Sequence, residues 1–223
     1  MQSDAAVDWP AVDTVLLDMD GTLLDLRFDN RFWLECVPEQ YAAARGITAA
    51  EARIQLQPKF REVTGTMSWY CVDYWSRELN LDIRALTRAS LPQVNFLPGA
   101  VAFLEWLQNC GKRIVLVTNS HPDLLDMKDQ QVAVKRYFHA CYSTHRFDAP
   151  KEDAAFWPRL MRIERFDPAR TLFVDDNLPV LKCAQLFGIA HLRAIRCPDS
   201  DHPPKATENF AAVDRIDQLL AMS

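Results

Sequence analysis

Apolar residues along this chain fall into two rhythms. Short, mainly apolar runs at Val12–Leu17, Arg113–Val117, Thr171–Val174 and Ile189–Ile195, with a weaker one at Ala140–Ser143, are dense in Val, Ile and Leu. Runs of this length without regular polar alternation predict strands buried on both faces. Between them, apolar residues recur at helical spacing over Gly99–Asn109, Pro122–Tyr137, Lys151–Arg165, Pro179–Phe187 and Phe210–Met222. In the first of these Val101, Leu104 and Leu107 form one stripe, and Gly111 stands where a left-handed cap belongs. Pro158 should kink the Lys151–Arg165 helix or mark its start, whereas Pro179 and Gly188 bracket theirs as first-turn and terminal residues. Strands alternating with helices predict a doubly wound, Rossmann-like α/β core with a parallel sheet.

The stretch from Leu26 to Phe96 breaks that alternation. It holds no convincing strand and four helical patterns, Asn30–Arg45, Ala49–Val63, Ser68–Leu79 and a weaker Ile83–Ser90. An all-helical segment inserted directly after the first strand predicts a cap over the strand ends. The expected division is a core of residues 1–25 and 97–223 and a cap of residues 26–96, with Leu97-Pro98-Gly99 marking the return.

Candidate chemistry clusters at the strand ends, where open α/β sheets bind ligands. Asp18-Met-Asp-Gly-Thr22 follows the first strand, Thr118-Asn119-Ser120 the second, and Asp175-Asp176-Asn177 the fourth; Lys151 follows the third candidate. A carboxylate nucleophile, a second carboxylate two residues on and a Gly-Thr turn suit phosphoryl transfer through an aspartyl-phosphate. Asp18 is the expected nucleophile. Asp20 is placed to protonate the leaving alkoxide and then to activate water. Lys151 supplies positive charge to the transferring group, and Thr118, Asn119, Gly21 and Thr22 supply phosphate contacts. So many acids in one place repel one another, which implies Mg²⁺ held by Asp18, Asp176, Asp175 and the Asp20 carbonyl.

Composition narrows the partners. The chain has 223 residues, 49% hydrophobic and 25% charged, enough for one substantial core and a smaller appended unit. A formal charge of −5 argues against a nucleic-acid polymer as partner. Arg159, Arg162 and Arg165 read as a solvated helix face. Met1–Pro10 lacks the basic and apolar regions of a signal peptide, and no run is long enough to span a bilayer. Six scattered cysteines (36, 71, 110, 141, 183, 197) form no CxxC pair and no His/Cys cluster in sequence, as expected of reduced thiols in the cytoplasm. His121 and His145 read as local hydrogen-bonding or helix-start residues near strand ends. A monomer is the expected state.

These motifs together resemble the haloacid dehalogenase-like superfamily. Asp18–Thr22 matches its DxDGT motif, Thr118 in VTNS its second, Lys151 its third and Asp175-Asp176 its acidic fourth. One departure is Val180, where many members carry a further acid, so support for the metal must come from elsewhere. The segments VDTVLLDMDGTLLDL, FDNRFW, WYCVDYWS and PKED are similar to those of bacterial GMP/IMP 5′-nucleotidases within the superfamily. That resemblance implies a Mg²⁺-dependent phosphomonoesterase acting on purine nucleoside monophosphates. Trp33, Trp69, Tyr70 and Tyr74 could then stack a base, and Arg27, Asn30 or Asp73 read its edge; core packing is the competing reading for each aromatic. A sugar-phosphate or phosphoglycolate phosphatase, a phosphomutase and a non-catalytic phosphometabolite sensor remain alternatives. A dehalogenase has no need of Asp20 as a leaving-group acid.

Overall fold

The computed structural model describes residues 6–220. Residues 1–5 of the N-terminal segment and 221–222 of the expected closing helix lie outside that range. Six strands form one parallel sheet: β1 (Thr14–Leu17), β2 (Arg113–Thr118), β3 (Ala140–Ser143), β4 (Thr171–Asp175), β5 (His191–Ile195) and β6 (Ala212–Val213), in the spatial order β3-β2-β1-β4-β5-β6. β1 lies at the centre, with Leu16 in register with Val115 on one side and Phe173 on the other.

Alternation along each strand separates two apolar layers. Val15 and Leu17 of β1, with Ile114, Leu116, Leu172 and Val174, pack towards α6 (Ala100–Asn109) and α7 (Pro122–Val132). Leu16, Val115, Val117 and Phe173 point the other way, against α8 (Phe156–Ile163) and α9 (Leu178–Phe187). This is the doubly wound arrangement.

Residues 26–96 hold no ladder strand. They form α1 (Arg27–Arg31), a π-helical turn (Phe32–Cys36), α2 (Val37–Arg45), α3 (Ala49–Val63), α4 (Val72–Leu79) and α5 (Ile83–Ser90). The first three run on as one helix. Pro38 has no N–H to offer the Leu34 carbonyl, and Arg53 Nε donates to that carbonyl from α3 at 3.3 Å. The two ends of this insertion zip together: Leu24 bridges Phe96 antiparallel, Asp25 N–H donates to Asn95 O at 2.9 Å and Leu97 N–H to Leu23 O at 2.8 Å. Phe28, Phe32, Val72 and Trp75 of the insertion are buried in the same apolar cluster as Val15 and Leu17. The insertion and one face of the sheet therefore share a continuous core.

Four helical expectations need correction. The closing helix is instead the short edge strand β6 and a 3₁₀ turn, Ile216–Leu219; Ala212 and Val213 find open hydrogen-bonding groups on β5, which local periodicity does not register. The Pro122–Tyr137 pattern stops at Val132, where Ala133 turns left-handed (φ 52°) before a 3₁₀ turn. α8 begins at Phe156, leaving Lys151 in a preceding turn. α4 begins at Val72, so Trp69 and Tyr70 lie in a turn before it rather than on a helix face. Among the described residues no helix is long and apolar enough to cross a membrane.

Candidate active site

The carboxyl end of the sheet gathers groups from five segments. β1 delivers Asp18, whose N–H donates to Val174 O at 3.1 Å. Lys151, buried after the β3 turn, pairs through Nζ with Asp18 Oδ1, with Asp175 Oδ2 at 2.7 Å, and donates to Val117 O at 3.2 Å. Its backbone is held on both sides: its N–H donates to Asn119 Oδ1 at 2.9 Å and its carbonyl accepts the Trp157 indole N–H at 3.0 Å. Asp175 uses its other oxygen to accept the Asn177 N–H at 2.8 Å. Asp176 Oδ2 accepts Lys205 Nζ at 2.8 Å.

The carboxylates of Asp18, Asp175 and Asp176 are all buried, and each offers an oxygen within 4.8 Å of the others. Burial pushes the Asp18 carboxyl up to about 7, against the pull of Lys151, and the Asp175 carboxyl up to about 6. Asp176 is also raised by burial, opposed by Lys205. Burial acts to lower Lys151, but the charges of Asp175 and Asp18 outweigh it and raise the ammonium, which stays charged. Three buried carboxylates beside two lysines, Lys151 and Lys205, form an oxygen-rich nest that keeps an excess of acid and suits a hard divalent cation. Asp18 Oδ2 and Asp176 Oδ1 are the oxygens without a hydrogen-bond partner among the described residues, whereas both oxygens of Asp175 are engaged in fixing Lys151 and the turn.

The remaining motif residues divide. Thr118 and Asn119 line the cavity beside Asp18, with Thr118 Oγ1 accepting the Ser120 N–H at 3.0 Å. Gly21 and Thr22 do not line it. The Gly21 N–H is turned back to Leu24 O at 2.7 Å rather than towards a phosphate. Gly21 is needed for a different reason: its φ is +86°, and a Cβ there would sit 2.7 Å from Asp176 Cγ. The Thr22 hydroxyl is buried without a hydrogen-bond partner among the described residues.

Three supporting side chains were absent from the sequence expectations. Lys128 of α7, 1% exposed, bonds Asp20 Oδ1 at 2.7 Å and Asp29 at 2.7 and 2.8 Å. Burial, reinforced by the charge of Asp20, pushes Asp29 up to about 7 against Lys128. A signal existed: Lys128 falls three and four residues after Leu125 and Leu124, on the apolar stripe of its helix. Glu152 accepts the Tyr70 hydroxyl at 2.7 Å and the Asn119 amide at 2.9 Å, joining the insertion to the sheet. Lys205 comes from a polar loop with no pattern to mark it and pairs with Asp176, while Val180, fully buried in the cavity wall, offers no polar group there.

Over this cluster lies a cavity of about 300 Å³. Trp33, Trp69, Tyr70 and Asn30 line it from the insertion. Tyr74, Arg27 and Asp73 do not line it: Tyr74 packs edge-on to Trp75, Arg27 faces Asp25 and Asp201, and Asp73 pairs with Arg84 at 2.7 Å. Trp33, Phe60, Trp69 and Trp75 interlock with ring centroids 5.1–6.2 Å apart, so the cavity-facing Trp33 and Trp69 also belong to the insertion's packing. His121 caps α7, its Nδ1 accepting the Asp123 N–H at 3.2 Å.

The chain belongs to the haloacid dehalogenase-like hydrolases, whose family matches residues 12–188. It is an enzyme, and a hydrolase. It is 39% identical over 214 residues, 96% of each chain, to the GMP/IMP nucleotidase YrfG of Escherichia coli K12. The HAD phosphatase from Thermococcus onnurineus shares the fold with a TM-score of 0.78 at 19% identity, covering 94% of this chain and 95% of that one. The HAD-hydrolase YfnB from Bacillus subtilis, bound to magnesium, gives 0.69 at 16% identity over 94% and 97%.

Proposed function

We propose that this hydrolase cleaves purine nucleoside 5′-monophosphates, GMP and IMP, through an aspartyl-phosphate on Asp18, and that residues 26–96 act as the cap over the site. The observation that carries the substrate reading is the 39% identity to a GMP/IMP nucleotidase across 96% of both chains, because that match runs through the insertion that walls the cavity. Hydrolysis of a phosphoric monoester is the coarser class that the family and this kinship support.

The residues divide the work as follows. Asp18 attacks phosphorus through one carboxylate oxygen while the bond from phosphorus to the ester oxygen breaks, and Asp20 donates a proton to that oxygen. Water then attacks the aspartyl-phosphate, giving its proton to Asp20, and phosphate leaves with Asp18 restored. Lys151, held by Asp175, keeps positive charge against Asp18 and the transferring group. Thr118 and Asn119 contact the phosphate oxygens, and Trp33, Trp69 and Tyr70 face the base. Asp18, Asp176 and the Asp20 main-chain carbonyl would hold Mg²⁺, which when bound screens the nucleophile from the dianionic phosphate. Dehalogenation leaves Asp20 and its buried partner Lys128 without a task.

The test is phosphate release, with Mg²⁺, from a panel of nucleotides and sugar phosphates. GMP and IMP should be the best substrates. Sugar phosphates hydrolysed equally well would overturn the nucleotide assignment and leave the phosphatase standing. Asp18→Asn should retain the fold by circular dichroism and lose activity by about a thousandfold or more; full activity in the purified variant would remove Asp18 as nucleophile.

A further inference from the structure

Cys71, His121 and His145 are scattered over 75 positions of sequence, yet the fold brings them together beside the active-site cavity. Cys71 precedes α4 in the helical insertion. His121 begins α7 after β2, and His145 lies in the 3₁₀ turn after β3. Each offers a ligand atom within 4.8 Å of the other two, and the two imidazoles meet edge-on with centroids 4.7 Å apart. His121 lines the active-site cavity, whereas His145 lines a separate outer depression with Cys141 and Lys135, so the cluster sits between the two.

Local hydrogen bonding shows which atoms remain for a ligand. His121 Nδ1 accepts the Asp123 N–H, leaving Nε2, and the Asp73 carboxylate lies 3.7 Å from that nitrogen. His145 Nδ1 lies 3.3 Å from Ser143 Oγ, and its Nε2 is buried with no hydrogen-bond partner among the described residues. A buried ring nitrogen left unsatisfied is unfavourable unless something fills the place. Cys71 Sγ accepts the Tyr74 N–H at 3.4 Å, which orients the sulfur at the helix start. Burial leaves both imidazoles neutral at pH 7, with lone pairs available.

We propose that Cys71 Sγ, His121 Nε2 and His145 Nε2 form a binding site for a thiolate- and imidazole-preferring divalent ion, Zn²⁺, that ties the helical insertion to the sheet core. One sulfur and two imidazoles select zinc over magnesium, which takes oxygen ligands, so this site is chemically distinct from the carboxylate nest around Asp18. Ligands held tetrahedrally about 2.0–2.3 Å from zinc lie roughly 3.4–3.7 Å apart, so side-chain movement of about 1 Å closes the observed cluster. On binding, the Cys71 thiol proton leaves to solvent, the thiolate and two imidazole lone pairs enter the coordination sphere, and water completes it. Cys71 belongs to the insertion and both histidines to the core, so the bound ion restrains the turn that carries Trp69 and Tyr70.

The test needs no substrate, and its result is therefore independent of the nucleotidase reading. Isothermal titration of the Mg²⁺-loaded protein with Zn²⁺ should show one tight equivalent, and Co²⁺ should give a thiolate-to-cobalt absorption band. Cys71→Ser and His145→Ala should each weaken Zn²⁺ by about a hundredfold, and Cys71→Ser should abolish the band. In the wild type Zn²⁺ should slow amide hydrogen exchange across residues 69–74, an effect absent from Cys71→Ser. Zinc affinity unchanged in both variants, no thiolate band in the wild type, or exchange unaffected by bound Zn²⁺ would each overturn the proposal. The cobalt spectrum is read on the wild-type protein, so an unfolded variant leaves that arm decisive.

Discussion

Asp20 bears a proton-transfer role in the proposed reaction, and its carboxylate is aimed by Lys128, which also bonds Asp29. An ammonium buried with two carboxylates is costly to break from one side, because the remaining charges lose their partner. Lys128→Met should lower stability by about 3–5 kcal/mol, read by denaturant unfolding. Its kinetic signature should be selective. Hydrolysis of a nucleotide, whose alkoxide must be protonated as it leaves, should fall steeply, while p-nitrophenyl phosphate, which needs no proton, should be nearly spared. Equal losses on both substrates would mean that Lys128 supports the fold without positioning Asp20. At this scale Asp18, Thr118, Lys151 and Asp175-Asp176 were legible in the sequence because each follows a strand-like run. Lys205 was not, because a lysine in a polar loop looks like any solvated lysine until the loop folds back on Asp176.

The element scale shows where the insertion is fastened and what holds its helices. α3 begins with a reciprocal capping box: Thr48 Oγ1 accepts the Glu51 N–H at 3.2 Å and Glu51 Oε2 accepts the Thr48 N–H at 2.8 Å. Thr48→Ala should cost about 1 kcal/mol in unfolding free energy without altering kcat, since the box is exposed and remote from the cavity. Tyr70, in contrast, reaches across to the sheet through Glu152 and Asn119 to the Lys151 N–H. Tyr70→Phe removes a hydroxyl-to-carboxylate hydrogen bond worth about 1.5–3 kcal/mol, so KM for the nucleotide should rise roughly tenfold to a hundredfold with kcat nearly unchanged. A change confined to kcat would show that the link orients Lys151 rather than the substrate wall. Periodicity located α3 and α5 to the residue and misjudged the start of α4, since Trp69 and Tyr70 continue its apolar pattern while their backbone turns.

Over the whole molecule, buried ionisable groups make stability depend on pH in opposing senses. Burial lowers His145 from 6.5 to about 4. Between those values the unfolded chain binds a proton that the folded protein does not, so His145 contributes stability above pH 6.5 that is lost as pH falls towards 4. Asp18, Asp29 and Asp175 are raised to about 7, 7 and 6, so in the ion-free protein they contribute the reverse slope, favouring the folded state towards lower pH. The histidine effect is therefore read as a difference. Between pH 7 and pH 4.5, without added metal, the Tm of the wild type should fall further than that of His145→Gln; parallel curves would show that His145 titrates normally.

The sequence by itself determined the α/β alternation, the helical insertion after β1 and the motif residues at the strand ends. Those follow from local rules: apolar period, helix-ending residues, and the requirement that a parallel sheet present its carboxyl ends together. Tertiary structure alone decided which oxygens of the acids remain for a cation, that Gly21 makes room for Asp176, and that Lys128, Glu152 and Lys205 serve the site. It also brought Cys71, His121 and His145 within reach of one ion. These are contacts between residues up to 155 positions apart, Gly21 and Asp176, set by how helices and loops settle over the sheet, and no local pattern encodes a distance of that kind.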